Sequence, residues 1–150
     1  MVTKQINSNS VDDTLSLAKL VGSNLKGGEI IELVGDLGSG KTTFVSGLVA
    51  GAKSEDIVSS PTFMIKKEYK TPKFIIYHFD FYRLEGSDLI IHELSDATSE
   101  PNSVVVIEWP TILNIPNMGK KIIFEFSYLE DINKRHIKIR YDQEVGYLIN

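Results

Sequence analysis

A short stretch at positions 35–42, GDLGSGKT, has the spacing G-x-x-x-x-G-K-[ST]. Its glycines let consecutive backbone N–H groups turn inward and approach phosphate oxygens, because no Cβ stands in the way. The lysine can reach the β- and γ-phosphates of a nucleoside triphosphate, and the threonine hydroxyl is placed to ligate magnesium. A chain of this length matches the pattern by accident on the order of one time in two hundred. The residues we expect at the phosphates are Gly35, Asp36, Leu37, Gly38, Ser39, Gly40, Lys41, Thr42 and Thr43.

Two acidic residues end predicted strands, where a triphosphate site needs ligands for its metal. Glu108 follows the apolar run 104–107. This pattern is typical of a carboxylate that emerges at the carboxyl edge of a buried strand and holds magnesium. Asp80 shares one face of its predicted strand with His78 and Tyr82, and that face could point at the γ-phosphate. We predict that both carboxylates hold the metal or orient the attacking water, and the sequence leaves open which does which.

Other residues near these motifs in the sequence are also candidates for the site. Thr62, in Ser-Pro-Thr at 60–62, stands where related folds carry a switch segment that contacts the γ-phosphate. Arg83, one of three arginines, either neutralises transition-state charge or pairs with a carboxylate. Trp109, the single tryptophan, precedes Pro110, which predicts an extended backbone, and both core packing and a role at the site stay open for it. His78 is expected to be a packed or hydrogen-bonded histidine rather than a catalytic one.

The predicted elements place the glycine-rich loop between a strand and a helix, as phosphate binding requires. A helix capped at Ser10 and ended near positions 27–28 comes first. Other predicted elements are strands at 29–34, 64–69, 74–81, 104–107, 121–128 and 136–141, with helices at 42–50 and 87–96. The order predicts a three-layer α/β domain over 1–150, with a mixed, mainly parallel sheet, helices on both faces and antiparallel hairpin additions.

Composition narrows the class of protein. A net charge of -4 argues against independent binding to nucleic acid, since that force grows with clustered lysine and arginine. The chain has no cysteine, which removes disulfides and thiolate metal sites and suits a reducing compartment. No apolar run has the length of a signal peptide core or a membrane helix, so we expect a cytoplasmic protein without a membrane partner.

The strings GDLGSGKTTF, SPTF, YHFDFYRL and IEWP follow the order and spacing of the TsaE (YjeE) family. The chain therefore resembles a small bacterial P-loop ATPase of tRNA threonylcarbamoyladenosine biosynthesis, from about Thr14 to Pro110. The resemblance implies ATP and Mg²⁺ as cofactors. It also implies partnership with the TsaD and TsaB proteins, which modify adenosine 37 of tRNAs reading codons that start with A, so that tRNA is met only through that complex.

The resemblance also implies roles for individual residues. Thr42 and Glu108 would hold magnesium, while the segment with Thr62 senses the nucleotide and Trp109 acts near the site or the partner surface. The catalytic set that we expect is Asp80, Lys41, Glu108 and Thr62, and the partner or switch candidates are Thr62, Tyr82, Arg83 and Trp109. Two departures from the family pattern are Ser39, where alanine is common, and the stretch 91–94, to which no role is carried over.

Three other classes of protein are alternatives to an assembly-coupled ATPase. A GTPase needs Asn-Lys-x-Asp, and the nearest string, Asn-Lys-Arg-His at 133–136, lacks the acid. A small-molecule kinase usually brings an arginine-bearing lid, for which three arginines leave little. A nucleotide-gated partner-binding module with negligible turnover remains open. Adenine contacts near Thr14 follow from the resemblance alone.

Overall fold

The computed structural model describes residues 1–59, 66–82, 88–109 and 120–150. The strands in these ranges are β1 Val2–Ser8, β2 Ile30–Val34, β3 Lys66–Lys70, β4 Ile75–Asp80, β5 Ser103–Glu108, β6 Lys121–Tyr128 and β7 Arg135–Tyr141. The helices are α1 Val11–Asn24, α2 Lys41–Gly51 and α3 Asp88–Ser99, followed by a 3-10 helix at Gln143–Ile149. No helix in the described ranges is long and apolar enough to cross a membrane.

All seven strands form one sheet in the order β1-β7-β6-β2-β5-β4-β3. The central strands β6, β2, β5 and β4 are mutually parallel, while β7 and β3 run against their neighbours and β1 pairs antiparallel with β7. The predicted mixed, mainly parallel sheet is confirmed. Strand β5 is buried along its whole length, which explains its unbroken apolar run: a central parallel strand is covered on both faces.

Helices cover both faces of the sheet, as predicted. On one face α1 and α2 bury Val21 and Phe44 against residues of the central strands such as Leu33. On the other face α3 buries Ile90 and Leu94 in a second cluster. Strand β4 supplies this second cluster with Tyr77 and Phe79 and turns its alternate residues the other way, as period-two geometry requires.

The predicted cap of α1 is confirmed, and the predicted end of this helix is wrong by a few residues. The Asp13 N–H donates to Ser10 Oγ at 3.2 Å, and the Asn9 N–H donates to the Asp13 carboxylate at 2.9 Å. The helix ends at Asn24, before the glycines at 27–28, because the Leu25 N–H turns back to Gly22 O.

Two elements were not predicted from the sequence. Strand β1 is a largely exposed edge strand, so it lacks the apolar alternation that marks a half-buried strand. The 3-10 helix buries Val145 and Leu148 in the same cluster as α1. Its Tyr147 hydroxyl donates to the buried Glu29 carboxylate at 2.6 Å, which ties the end of the chain to the turn before β2.

The sheet topology gathers the chemically interesting strand ends. Leu33 in β2 lies opposite Glu108 in β5, and Asp80 in β4 lies on the other side of Glu108. The carboxyl ends of three parallel strands therefore meet at one edge of the sheet, and the glycine-rich loop leaves β2 at that edge. This is where ligands bind in open α/β sheets.

Candidate functional site

The glycine-rich loop joins β2 to α2, as predicted. Gly40 caps α2 with a left-handed backbone (φ 110°) and no side-chain cap bond, so the first N–H groups of the helix remain available to an anion. At the start of the loop, a Cβ on Gly35 would lie 2.6 Å from Ser39 Oγ and 2.9 Å from Phe126 O. Glycine at this position therefore allows the loop to fold tightly over the sheet edge.

Lys41 lies inside the loop and is only 5% exposed. Its ammonium donates to Gly35 O and, at 2.9 Å, to Asp36 O, and it lies 4.0 Å from the centre of the Trp109 ring. Burial lowers the pKa of Lys41, and the nearby carboxylates of Glu108, Asp80 and Asp36 oppose this shift. The loop carbonyls thus hold a cation at the place where negative phosphate oxygens would enter.

Six of the nine predicted loop residues and both predicted carboxylates line one cleft of about 210 Å³, while Gly35, Asp36 and Ser39 are not among its lining residues. Its lining residues are Leu37, Gly38, Gly40, Lys41, Thr42, Thr43, Asp80, Tyr82, Glu108 and Trp109. Residues from the ends of β4 and β5 therefore face the start of α2. The structure brings together the amide donors, the cation, the hydroxyl and the two acids that the sequence placed in one site.

Glu108 is buried and is held by His78. His78 Nε2 lies 2.8 Å from Glu108 Oε1, and His78 Nδ1 lies 3.1 Å from the Tyr69 hydroxyl. The Tyr69 hydroxyl also donates to Ser59 O at 3.1 Å. The Tyr69 hydroxyl therefore links the His78–Glu108 pair to the backbone at Ser59. The prediction of a packed, hydrogen-bonded His78 is confirmed.

Asp80 is half-buried at the end of β4, beside Glu108. Its carboxylate accepts the backbone N–H of Tyr82 at 3.0 Å, which fixes the turn after the strand. The Tyr82 ring, 40% exposed, lies 4.8 Å from the Trp109 ring, centre to centre. The mouth of the cleft is therefore formed by a pair of aromatic side chains.

The backbone of Trp109 differs from the predicted extended conformation. Its φ is +60°, in the left-handed region, and its N–H donates to Leu33 O at 3.3 Å. The chain leaves the strand at this point, which carries the indole over Lys41. Trp109 also packs against the cluster beneath α3, so the core contact and the position at the cleft are both observed. Thr62 and Arg83, as well as Pro110, lie outside the described residues.

The last two strands supply residues that the sequence reasoning had not connected with the loop. Arg135 donates through Nε to Ser39 O at 3.0 Å and through Nη2 to Gly38 O at 3.3 Å. The Tyr128 hydroxyl donates to Leu37 O at 2.9 Å. No local pattern marks these contacts, which join positions more than 90 residues apart, and the scarcity of arginine was the one available signal.

A second cleft of about 160 Å³ lies on the other side of the loop and shares Gly38, Gly40 and Thr43 with the first. Its remaining lining residues are Ser10, Val11, Thr14, Ser39, Ile132, Asn133 and Arg135. Thr14 is buried, with its hydroxyl 2.7 Å from Ser8 Oγ. Both clefts therefore lie beside the start of α2.

The donor set fits a magnesium-bound triphosphate. The uncapped start of α2 and Lys41 suit phosphate, while the Thr42 hydroxyl and two carboxylates suit a hard cation. Ser39 Oγ is buried and has no hydrogen-bond partner in the part of the chain that the structure describes. In the same ranges no three His, Cys, Asp or Glu side chains form a metal cage, so a magnesium ion here would also need phosphate and water oxygens.

Comparisons with known proteins agree with the fold and the motifs. The family described as "Threonylcarbamoyl adenosine biosynthesis protein TsaE" matches residues 8–141. The tRNA threonylcarbamoyladenosine biosynthesis protein TsaE of Rickettsia prowazekii (strain Madrid E) is 41% identical over 107 residues, covering 70% of this chain and 73% of the relative. The protein of that name from Aquifex aeolicus (strain VF5) is 36% identical over 138 residues, covering 91% and 95%. A crystal structure of YdiB from Bacillus subtilis superposes with a TM-score of 0.79 at 26% identity, covering 98% of this chain and 91% of that one.

Proposed function

The chain belongs to the TsaE family, and from this premise we propose that it is a magnesium-dependent ATPase that acts in tRNA threonylcarbamoyladenosine biosynthesis. The observation that carries the proposal is the single cleft in which Lys41 and Thr42 face Asp80 and Glu108. Phosphoryl transfer needs little covalent chemistry from a protein, and positioning and charge are what this cleft supplies.

The individual site residues have proposed roles. Amides of the loop from Gly35 to Thr43 hold the phosphates, and the Lys41 ammonium exchanges its carbonyl partners for β- and γ-phosphate oxygens. Thr42 and Glu108 hold magnesium, which neutralises charge that develops on the transferring phosphoryl group. Asp80, beside Glu108, orients the attacking water or completes the metal shell. Thr62 is proposed to sense the γ-phosphate.

The second cleft is proposed to receive the nucleoside. It continues from the loop past Thr43 toward Thr14, on the side away from the two carboxylates. A triphosphate laid along the start of α2 would have its γ-phosphate beside Glu108 and its ribose and base between α1 and the β6–β7 hairpin. Adenine is proposed over guanine because the chain lacks the Asn-Lys-x-Asp string.

The TsaD and TsaB proteins are the proposed partners, and tRNA is met only through them. Tyr82 and Trp109 form an aromatic pair at the mouth of the cleft, with Tyr82 40% exposed, which suits contact with another protein. Arg83 is proposed as a further partner or switch residue. We also propose a cytoplasmic location, because tRNA modification takes place in the cytoplasm.

One set of titrations tests the proposal. ATP and GTP are added with and without Mg²⁺ while the fluorescence of Trp109, the single tryptophan, is followed. We expect saturable binding of ATP that depends on magnesium and is tighter than that of GTP. Turnover is then measured alone and with TsaD and TsaB, and we expect stimulation. Binding without turnover under every condition would favour the nucleotide-gated module, and failure to bind ATP would refute the proposal.

A further inference from the structure

We propose that the β6–β7 hairpin sets the shape of the phosphate loop, with Arg135 and Tyr128 as its positioning residues. The inference rests on the proposed binding of nucleotide at this loop, and it assigns a role to strands that carry none of the predicted site residues. Tyr128 and Arg135 are directly opposite each other in the ladder of β6 and β7. The Arg135 guanidinium lies 4.3 Å from the centre of the Tyr128 ring, so the two side chains act as one unit.

The hairpin holds three consecutive carbonyl groups of the loop. Tyr128 donates to the carbonyl of residue 37, and Arg135 donates to those of residues 38 and 39. Lys41 holds the two preceding carbonyls, those of residues 35 and 36. Five successive carbonyl oxygens at 35–39 therefore accept hydrogen bonds from side chains.

Fixing these carbonyls also fixes the amides that would bind phosphate. In a planar trans peptide, the C=O of one residue and the N–H of the next point in opposite directions. Because side chains of the hairpin bond the carbonyls of residues 37–39, the N–H groups of residues 38–40 point away from the hairpin. The Ser39 N–H donates to Asp36 O at 3.1 Å, while Gly38 and Gly40, whose φ angles are +73° and +110°, line the predicted phosphate cleft.

Arg135 is built for this positioning role rather than for direct contact with phosphate. A guanidinium has five N–H donors. Four hydrogen bonds already leave Arg135, to the carbonyls of Ser39 and Gly38 in the loop and of Ile132 and Lys134 in the hairpin turn. The planar fork joins the two segments in a way that a lysine ammonium does not reproduce.

The test compares the wild type with Arg135→Lys, Tyr128→Phe and the control Arg140→Lys. Arg140 lies on the same strand, and its side chain pairs with the Glu125 carboxylate rather than with a carbonyl of the loop. Affinities for ATP, ADP and inorganic tripolyphosphate are measured by calorimetry. We expect Arg135→Lys to weaken all three by a similar factor of about 10 and Tyr128→Phe by about 3, as lost loop contacts would. The control should remain within about twofold, and saturated turnover should change less than KM in every variant.

A second measurement does not need a nucleotide. Hydrogen exchange of the loop amides at 36–40 should be faster in Arg135→Lys and Tyr128→Phe than in the wild type or Arg140→Lys. Each protein is measured at the same number of degrees below its own melting temperature. If the wild-type protein bound none of the three ligands, the proposed function would fail. The exchange rates would still show whether Arg135 and Tyr128 position the loop. A loss confined to ATP, with tripolyphosphate and exchange unchanged, would make Arg135 a direct nucleotide contact and overturn the proposal. Effects equal to those of the control would also overturn it.

Discussion

The two sides of the cleft supply different kinds of atoms. The loop side presents backbone amides and one ammonium, and the carbonyls of the loop accept hydrogen bonds from Lys41, Tyr128 and Arg135. The acid side presents the carboxylates of Asp80 and Glu108, which lie at the ends of adjacent strands. The difference suggests a division of labour: the loop side should determine how tightly nucleotide binds, and the acid side how fast it is hydrolysed.

The largest effect is expected on the loop side, from Lys41→Ala. Removing the buried ammonium takes away the cation beside the phosphates, so ATP affinity should fall on the order of 100-fold. Calorimetric titration measures this, and the exposed Lys4→Ala serves as the matched control. The melting temperature should change little. Unchanged ATP affinity in Lys41→Ala would remove the loop from the binding account.

The corresponding change on the acid side is Glu108→Gln, which keeps the shape and removes the charge. We expect turnover to fall on the order of 100-fold while ATP affinity falls less than about fivefold, because the metal's charge matters most as phosphoryl charge redistributes. Single-turnover kinetics and titration separate the two quantities, with the exposed Glu130→Gln as control. Equal losses of turnover and of ATP affinity would assign Glu108 a structural role. They would also contradict the assignment of binding to the loop side and hydrolysis to the acid side.

A smaller effect is expected from the residue that holds Glu108. His78→Phe removes the hydrogen bond to the carboxylate and should lower turnover about 10-fold, the usual size of effects on groups that orient a metal ligand. His78→Gln retains a donor and should recover part of the loss. Turnover as a function of magnesium concentration is the measurement. Two variants that lose turnover equally, or a loss in ATP affinity alone, would contradict this role.

The smallest effect is expected from the aromatic ring above Lys41. Trp109→Leu should weaken ATP binding about threefold, because a cation–π contact of this kind is worth little more. Trp109→Phe keeps an aromatic face and should lie between the wild type and the leucine variant. Competition with a fluorescent ATP analogue measures both. A stronger effect on stimulation by TsaD and TsaB than on binding would shift Trp109 to the partner surface.

Sequence reasoning reached both sides of the cleft because each has a local signature. The glycine spacing identified the loop, and the apolar run before Glu108 identified a strand end. The supporting contacts have no such signature. Arg135 and Ser39 are 96 residues apart, and His78 and Glu108 are 30 apart, so their meeting depends on the order of strands in the sheet.

The unpredicted strand β1 and the wrong backbone prediction for Trp109 have the same origin. The polar edge strand β1 is specified by its register with β7, where Ile6 faces Ile137, rather than by its own periodicity. The prediction for Trp109 considered only the following proline, whereas a hydrogen bond to Leu33 O and the packing of the ring favour a left-handed turn. In each case, contacts between distant residues outweighed the local preference of the chain.

A crystal structure with Mg²⁺ and a non-hydrolysable ATP analogue tests the central claim most directly. The account predicts the triphosphate against the amides of residues 38–43, with the metal between the Thr42 hydroxyl and Glu108. An analogue bound elsewhere, or a loop that stays empty at saturating analogue, would contradict it.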